Sequence, residues 1–147
     1  MDISPGLEAL VRTARVARLA TVDERNRPHV VPVCFAYRDG VVYVALDAKP
    51  KRVPVTHLRR VRNLLANPEV QLLIDRYEED WSRLAYVQLR GRASLIEPGP
   101  EQAEALSLLR ARYPQYREMA LEDAPVIRIE VYSIVPWSAS NEPATAC

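Results

Sequence analysis

Residues 16–47 read VARLATVDERNRPHVVPVCFAYRDGVVYVALD, and this run decides the fold. Apolar residues alternate with polar ones through 16–22, 29–38 and 41–47, the period of strands with one buried face. In the second strand Val31, Val33, Phe35 and Tyr37 fall on one side. Asp23-Glu24-Arg25-Asn26-Arg27-Pro28 has loop chemistry, and Asp39-Gly40 signals a two-residue type I′ turn. Three strands in direct succession make an antiparallel meander.

Upstream, Ser4 is placed to cap a short helix that has Pro5 at its first position and Leu7, Leu10 and Val11 as its apolar face. Downstream, a polar segment with two prolines leads into a helix over 56–66. Leu58, Val61 and Leu65 are read as its inner face, with Arg59, Arg60 and Arg62 outside. Asn67-Pro68 stops it. A strand over 69–75, a charged connection over 76–83 and a long strand over 84–97 follow. In the long strand Tyr86, Gln88, Arg90 and Arg92 oppose Val87, Leu89, Ala93 and Leu95, and Gly91 marks a bulge or barrel corner. Pro98-Gly99-Pro100 precedes an exposed amphipathic helix over 101–112, and the last strand covers 126–137. The fold class is therefore mainly β (α+β): six antiparallel strands closed into a barrel, with two or three peripheral helices and no βαβ alternation. Residues 1–137 form one domain and 138–147 a polar tail.

At 147 residues the chain can bury one core, and 48% apolar residues is a globular share. A formal charge of +1 gives no field to draw nucleic acid or an anionic membrane, so any anion site is local. Met1-Asp2-Ile3-Ser4-Pro5 is not a signal sequence, and no apolar run has membrane-spanning length. Cys34 sits in an apolar strand and Cys147 ends the chain, which gives neither a disulfide nor a metal framework. A cytoplasmic location is expected.

No GxGxxG, P-loop, GxSxG, HExxH or metal-spaced Cys/His cluster is present, and the two histidines are His29 and His57. Glu78-Glu79-Asp80 reads as a solvated turn. The catalytic residues are unknown from sequence, and a cofactor is the expected source of any difficult chemistry. The strongest constellation is Asp47-Ala48-Lys49-Pro50-Lys51-Arg52, ahead of a helix start and of Arg59, Arg60 and Arg62. Of 20 basic residues only Lys49 and Lys51 are lysines, and both fall here. Cations before a helix N-terminus suit a phosphate; a solvated basic loop is the competing reading. Pro32 removes a ladder donor within a strand, which fits an edge, a bulge or a planar ring laid along the backbone. Tyr77, Trp81, Tyr86 and Trp137 are either core and interface anchors or the edges of a crevice at a dimer seam.

The order of these segments resembles the pyridoxamine 5′-phosphate oxidase-like split β-barrel superfamily across nearly the whole chain. The matching stretches are RLATVDERNRPHVVPV (18–33), GVVYVALD (40–47), LRRVRNLLANPEVQLLID (58–75) and the closing Val135-Pro136-Trp137. DRYEEDWSRLAYVQLRGRASL (75–95) is similar to an actinobacterial branch of coenzyme F420-dependent oxidoreductases. The resemblance implies a homodimer with a flavin or deazaflavin cofactor at its interface and no nucleic-acid or membrane partner. It implies that Val31, Pro32 and Val33 line the ring, that Ala45, Leu46 and Asp47 form its far edge, and that Lys49, Lys51 and Arg52 take the phosphate, with Arg62 a further candidate. Tyr77, Trp81 and Trp137 would close the crevice.

The implied activity is hydride transfer from reduced F420 to a small organic acceptor, with Tyr86 or Tyr37 as proton donor if one is required. An FMN-dependent oxidoreductase and a non-catalytic module for a flavin, deazaflavin or haem-derived ligand are the alternatives. The chain departs from the pattern at its end. Ile134-Val135-Pro136-Trp137-Ser138 lacks the Arg-Leu…Pro segment that binds substrate phosphate in true pyridoxamine phosphate oxidases, so pyridoxal phosphate synthesis is not implied. The loop after the third strand is also longer than the common T-x-x-S-R-K version.

Overall fold

A computed structural model describes residues 4–46 and 57–141. Helix α1 (Pro5–Thr13) begins as the sequence requires: the Ser4 hydroxyl accepts the Leu7 N–H at 3.3 Å, Pro5 leads, and Leu7, Leu10 and Val11 are buried. Strands β1 (Ala17–Val22), β2 (Pro28–Val33), β3 (Ala36–Arg38) and β4 (Val41–Ala45) follow. The stretch read as one strand over 29–38 is thus two, and the sheet has seven strands, not six. Across Cys34 and Phe35 the chain changes neighbours: β2 pairs with β1, whereas β3 pairs with β4. The β3–β4 hairpin turns through Asp39 (φ 53°) and Gly40 (φ 82°), the two positive φ values a type I′ turn needs.

Helix α2 (Arg59–Ala66), β5 (Glu69–Arg76), β6 (Ala85–Ile96), α3 (Pro100–Arg112) and β7 (Val126–Ser138) complete the fold, with short 3₁₀ turns at Trp81–Arg83, Pro114–Glu118 and Ala139–Asn141. The strand order is β2-β1-β5-β6-β7-β4-β3, with every pairing antiparallel. β6 and β7 are long enough to serve two halves. Their outer ends, Ala85 onward and up to Ser138, continue the sheet of β5; their inner ends meet β4 through Val126 to Glu130. The register shifts between Arg90 and Gly91, where the ribbon bends. A Cβ on Gly91 would lie 2.6 Å from the Glu130 carbonyl oxygen and 2.7 Å from Ile129 Cγ2, so only glycine fits this corner. The two edges are β2, which carries Pro28 and Pro32, and β3.

The barrel interior is filled by Leu19, Phe35, Leu72, Ile74, Leu89, Ile127 and Ile129, with α1 and α2 packed on it. A second cluster lies under α3, which is not the exposed helix expected: Ala105, Leu106 and Leu109 pack on Ala36, Tyr43 and Ala45. Gln102 is buried there too, donating to the carbonyls of Glu122 and Ala124 at 3.0 Å each. Helix α2 is rotated from the expected phase. Val61, Asn63 and Leu64 are buried, while Leu65 is 58% exposed. No helix among the described residues is long and apolar enough to cross a membrane.

Candidate functional site

The break between β2 and β3 creates the most chemically informative concavity. Where the chain leaves β1, the end of β2 (Pro32, Val33) and the following Cys34 line one side of a cleft and the end of β4 (Val44, Ala45) another. Val16, just ahead of β1, Arg60 from the first turn of α2, and Tyr116 from the turn after α3 complete a cleft of about 180 Å³. Among the described residues its lining is largely apolar and its one charge is Arg60. The residue is half-buried, and its Nε is buried with no hydrogen-bond partner among the described residues. An arginine donor left unpaired in an apolar wall is costly unless an acceptor reaches it. The N-cap of α2 is Leu58, which has no side-chain acceptor for the first-turn amides beside Arg60.

Of the residues expected at a cofactor, the structure brings Pro32, Val33 and Ala45 together in this cleft. Val31 and Leu46 pack against the barrel core, and Arg62 is exposed on α2. Asp47, Lys49, Lys51 and Arg52 lie outside the described residues. Arg60, read from sequence as solvent-facing, instead faces the cleft. The signal that could have found it is Asn63: a buried polar residue three positions on sets the phase of α2. Cys34 is half-buried on the cleft wall. Nothing in the sequence pointed to Tyr116.

The aromatic candidates form a separate group. Tyr86 stacks on Trp137 with ring centroids 5.7 Å apart and planes inclined by 23°. Beyond them, Tyr77 and Trp81 are 61% and 66% exposed on a tightly bonded connection. The Trp81 indole donates to the Tyr77 hydroxyl at 3.3 Å, Arg83 pairs with Glu78 at 2.7 Å, and Arg76 donates to the Arg83 carbonyl at 2.8 Å. Asp80 caps the turn through Ser82, whose hydroxyl and amide hold its carboxyl below the usual range. In the sheet Trp137 stands opposite Tyr86, Tyr86 opposite Asp75, and Asp75 bonds Arg18, which faces Pro32. Four strand intervals separate β2 from β7 along this row, roughly 19 Å at ~4.8 Å each. Along this row, then, the cleft edge at β2 and the aromatic pair at β7 stand several strands apart.

A third group docks α3. The Tyr43 hydroxyl and Arg128 Nε each donate to Glu101 Oε2 at 2.7 Å. These bonds hold Glu101 below the usual carboxylate range; burial, then the bond to Glu101, raises Tyr43. Glu101 stays ionised and Tyr43 protonated, a pairing that fastens a helix and offers no base. Among the described residues no cluster of His, Cys, Asp or Glu could hold a metal.

Comparison with known proteins agrees with this architecture. No curated protein sequence matches the chain. Solved structures do. Conserved hypothetical protein Rv2991 from Mycobacterium tuberculosis superposes with a TM-score of 0.75 at 18% identity, over 100% of this chain and 93% of that one. HutZ, the heme storage protein from Vibrio cholerae, gives 0.70 at 19% identity over 94% and 95%. An F420 reductase gives 0.65 at 23% identity over 90% and 98%. At these identities the likeness is one of fold. Residues 3–137, nearly the whole chain, match the pyridoxamine 5′-phosphate oxidase family, and the chain belongs to it.

Proposed function

We propose that this protein is a homodimeric oxidoreductase that binds coenzyme F420 in the cleft at the β2–β3 break and reduces a small organic acceptor. The observation that carries this reading is Arg60, a half-buried cation whose Nε has no partner among the described residues, in a largely apolar cleft. A phosphate beside a planar ring suits that combination: the ring takes the walls and the phosphate takes the guanidinium. The segment joining Ala45 to Arg60 supplies Lys49, Lys51 and Arg52, further cations for the same anion. Similarity of residues 75–95 to F420-dependent enzymes favours the deazaflavin over FMN.

When bound, the deazaflavin supplies hydride from its C5 carbon. The chain's own residues do the rest. Pro32, Val33 and Ala45 offer a flat apolar wall that orients a ring and excludes water. Arg60 fixes the phosphate end, setting which ring edge faces outward. The cleft of one chain, about 180 Å³, is small beside the ~300 Å³ or more of usual ligand sites, which supports a second copy completing it. Tyr77, Trp81 and Trp137, which do not line the cleft of their own chain, are proposed to close the partner's.

Among the described residues the protic side chains in the cleft are those of Cys34, Arg60 and Tyr116, with no carboxylate or histidine. This favours, as a second reading, a module that binds its ligand without turnover. Titrating the apoprotein with F420 and FMN side by side, followed by ligand fluorescence, tests the proposal. F420 is expected to bind in the micromolar range or tighter, and FMN more weakly. Equal or stronger FMN binding would overturn the F420 assignment. Tight F420 binding with no hydride transfer to any acceptor in a broad panel would favour the module.

A further inference from the structure

Tyr113 closes α3 and is buried, yet it touches the two stretches of chain that wall the cleft. Its hydroxyl accepts the Phe35 N–H at 3.1 Å, and the same oxygen lies 3.1 Å from the Phe35 carbonyl and 3.0 Å from the Arg15 carbonyl. Its single proton serves those two acceptors. Phe35 follows Cys34, and Arg15 precedes Val16; Cys34 and Val16 are both cleft residues. At this point the chain has left the β1 ladder and has not yet joined β4, so sheet pairing does not determine the position of residues 34–35.

The surroundings stiffen the contact. The Arg15 guanidinium lies 4.7 Å from the Tyr113 ring centre. Arg112 bonds the carbonyls of Arg12 and Ala14 and lies 4.9 Å over the Phe35 ring. Tyr116, itself in the cleft, packs edge-on against Tyr113 at 5.6 Å. One turn at the end of α3 thus supplies one wall residue and grips the backbone behind two others.

We infer that Tyr113 is a positioning residue: its hydroxyl fixes the separation of the 15–16 and 34–35 segments and so sets the width of the ligand cleft. The inference rests on the cleft being the cofactor site, and its test has an arm that needs no cofactor. In a Cys147→Ser background, the rate at which iodoacetamide alkylates Cys34 reports local opening of the wall. Tyr113→Phe keeps the ring and removes the hydroxyl. It is expected to speed alkylation about three- to tenfold and to weaken F420 binding by a similar factor, the range of one lost hydrogen bond. Ser4→Ala, which removes the cap of α1 at the far end of that helix, is the control for general destabilisation. It should change neither rate nor affinity when stability is matched with urea.

Alkylation in Tyr113→Phe no faster than in the matched control would overturn the inference, whatever the cofactor proves to be. Faster alkylation with unchanged F420 affinity would also overturn it, since the wall would then move without consequence for the ligand. Faster alkylation in a protein whose parent binds neither F420 nor FMN would sink the cofactor reading and leave the role of Tyr113 in holding the wall intact.

Discussion

The side-chain amide of Asn63 donates to the hydroxyl of Thr21 across 3.0 Å, and each residue is 1% exposed. This bond locks the rotation of α2 against β1 and thereby the direction of Arg60, one turn earlier. Asn63→Ala leaves the Thr21 hydroxyl with a lost partner and is expected to cost about 1–3 kcal/mol in urea unfolding. Asn63→Leu combined with Thr21→Val should recover much of that loss, because no buried polar group is then stranded. A double variant no better than the single one would mean that the bond is not what holds the helix.

Arg60→Ala should weaken F420 and FMN alike by ~10- to 100-fold, the range for a hydrogen bond to a charged group. The melting temperature of the apoprotein should not fall, since the substitution also removes a buried donor that has no partner among the described residues. Arg62→Ala, on the exposed side of the same helix, should bind both ligands normally. Lys51→Ala and Arg52→Ala should each lose affinity if they share the phosphate with Arg60. Calorimetric titration of the four variants separates these outcomes.

The legible parts of the fold were those with a strong local signal. Ser4-Pro5, Asp39-Gly40 and Gly91 each announce a backbone requirement that few residues meet, and all three stand where expected. The break at Cys34–Phe35 was hidden because the period of two in Val31, Val33, Phe35 and Tyr37 runs straight through the change of neighbours. Pro32 was the lone hint of it. The phase of α2 was hidden because Leu64 and Leu65 are equally apolar, and the residue that decides between them is polar. For the cleft, Pro32 marked its strand in the sequence itself, whereas Val33 and Ala45 were implied as ring-lining by the family resemblance; Tyr116 arrives from a distant turn and carries no local mark.

Gly91→Ala should cost about 1–3 kcal/mol, the penalty for forcing atoms into a packed corner. The added methyl would meet the Glu130 carbonyl at 2.6 Å. Because β6 and β7 bend here to serve both halves of the barrel, the loss should appear as one cooperative transition shifted to lower denaturant. A wild-type midpoint would show that the ribbon relaxes without strain.

Asp23 anchors the β1–β2 turn, accepting the amides of Arg25 and Arg27 at 2.8 and 2.9 Å and pairing with the Arg27 guanidinium at 2.8 Å. These bonds, led by the Arg27 amide, hold its pKa at about 2. A carboxylate depressed on folding stabilises the native state above its unfolded pKa, near ~3.9. That contribution is lost as pH falls from there through 2. Thermal melts from pH 7 to 2 should show an acid limb in this window, and Asp23→Asn should flatten it. An identical limb in the variant would assign the acid sensitivity to other carboxylates.

Light scattering at low micromolar concentration should give a dimer, with an interface of at least ~2,000 Å² if it is obligate. Trp81→Arg places a charge among the exposed aromatics and should shift the equilibrium toward monomer while weakening F420 binding. A wild-type chain that remains a stable folded monomer would remove the partner from the site.

The prolines of β2 bear on how such a dimer can form. Pro28, Val30 and Pro32 stand opposite Val22, Ala20 and Arg18, so all three share one parity of the strand. In an antiparallel pair that parity either bonds the neighbour or points outward, and proline, lacking an N–H, suits the outward set. The open border of β2 therefore offers one amide, that of Val30, where an approaching strand needs several. Edge-to-edge joining of two copies into a continuous ribbon, or a runaway stack, is therefore disfavoured at this border. The prolines thus favour face-to-face or loop-mediated association over strand addition at this border.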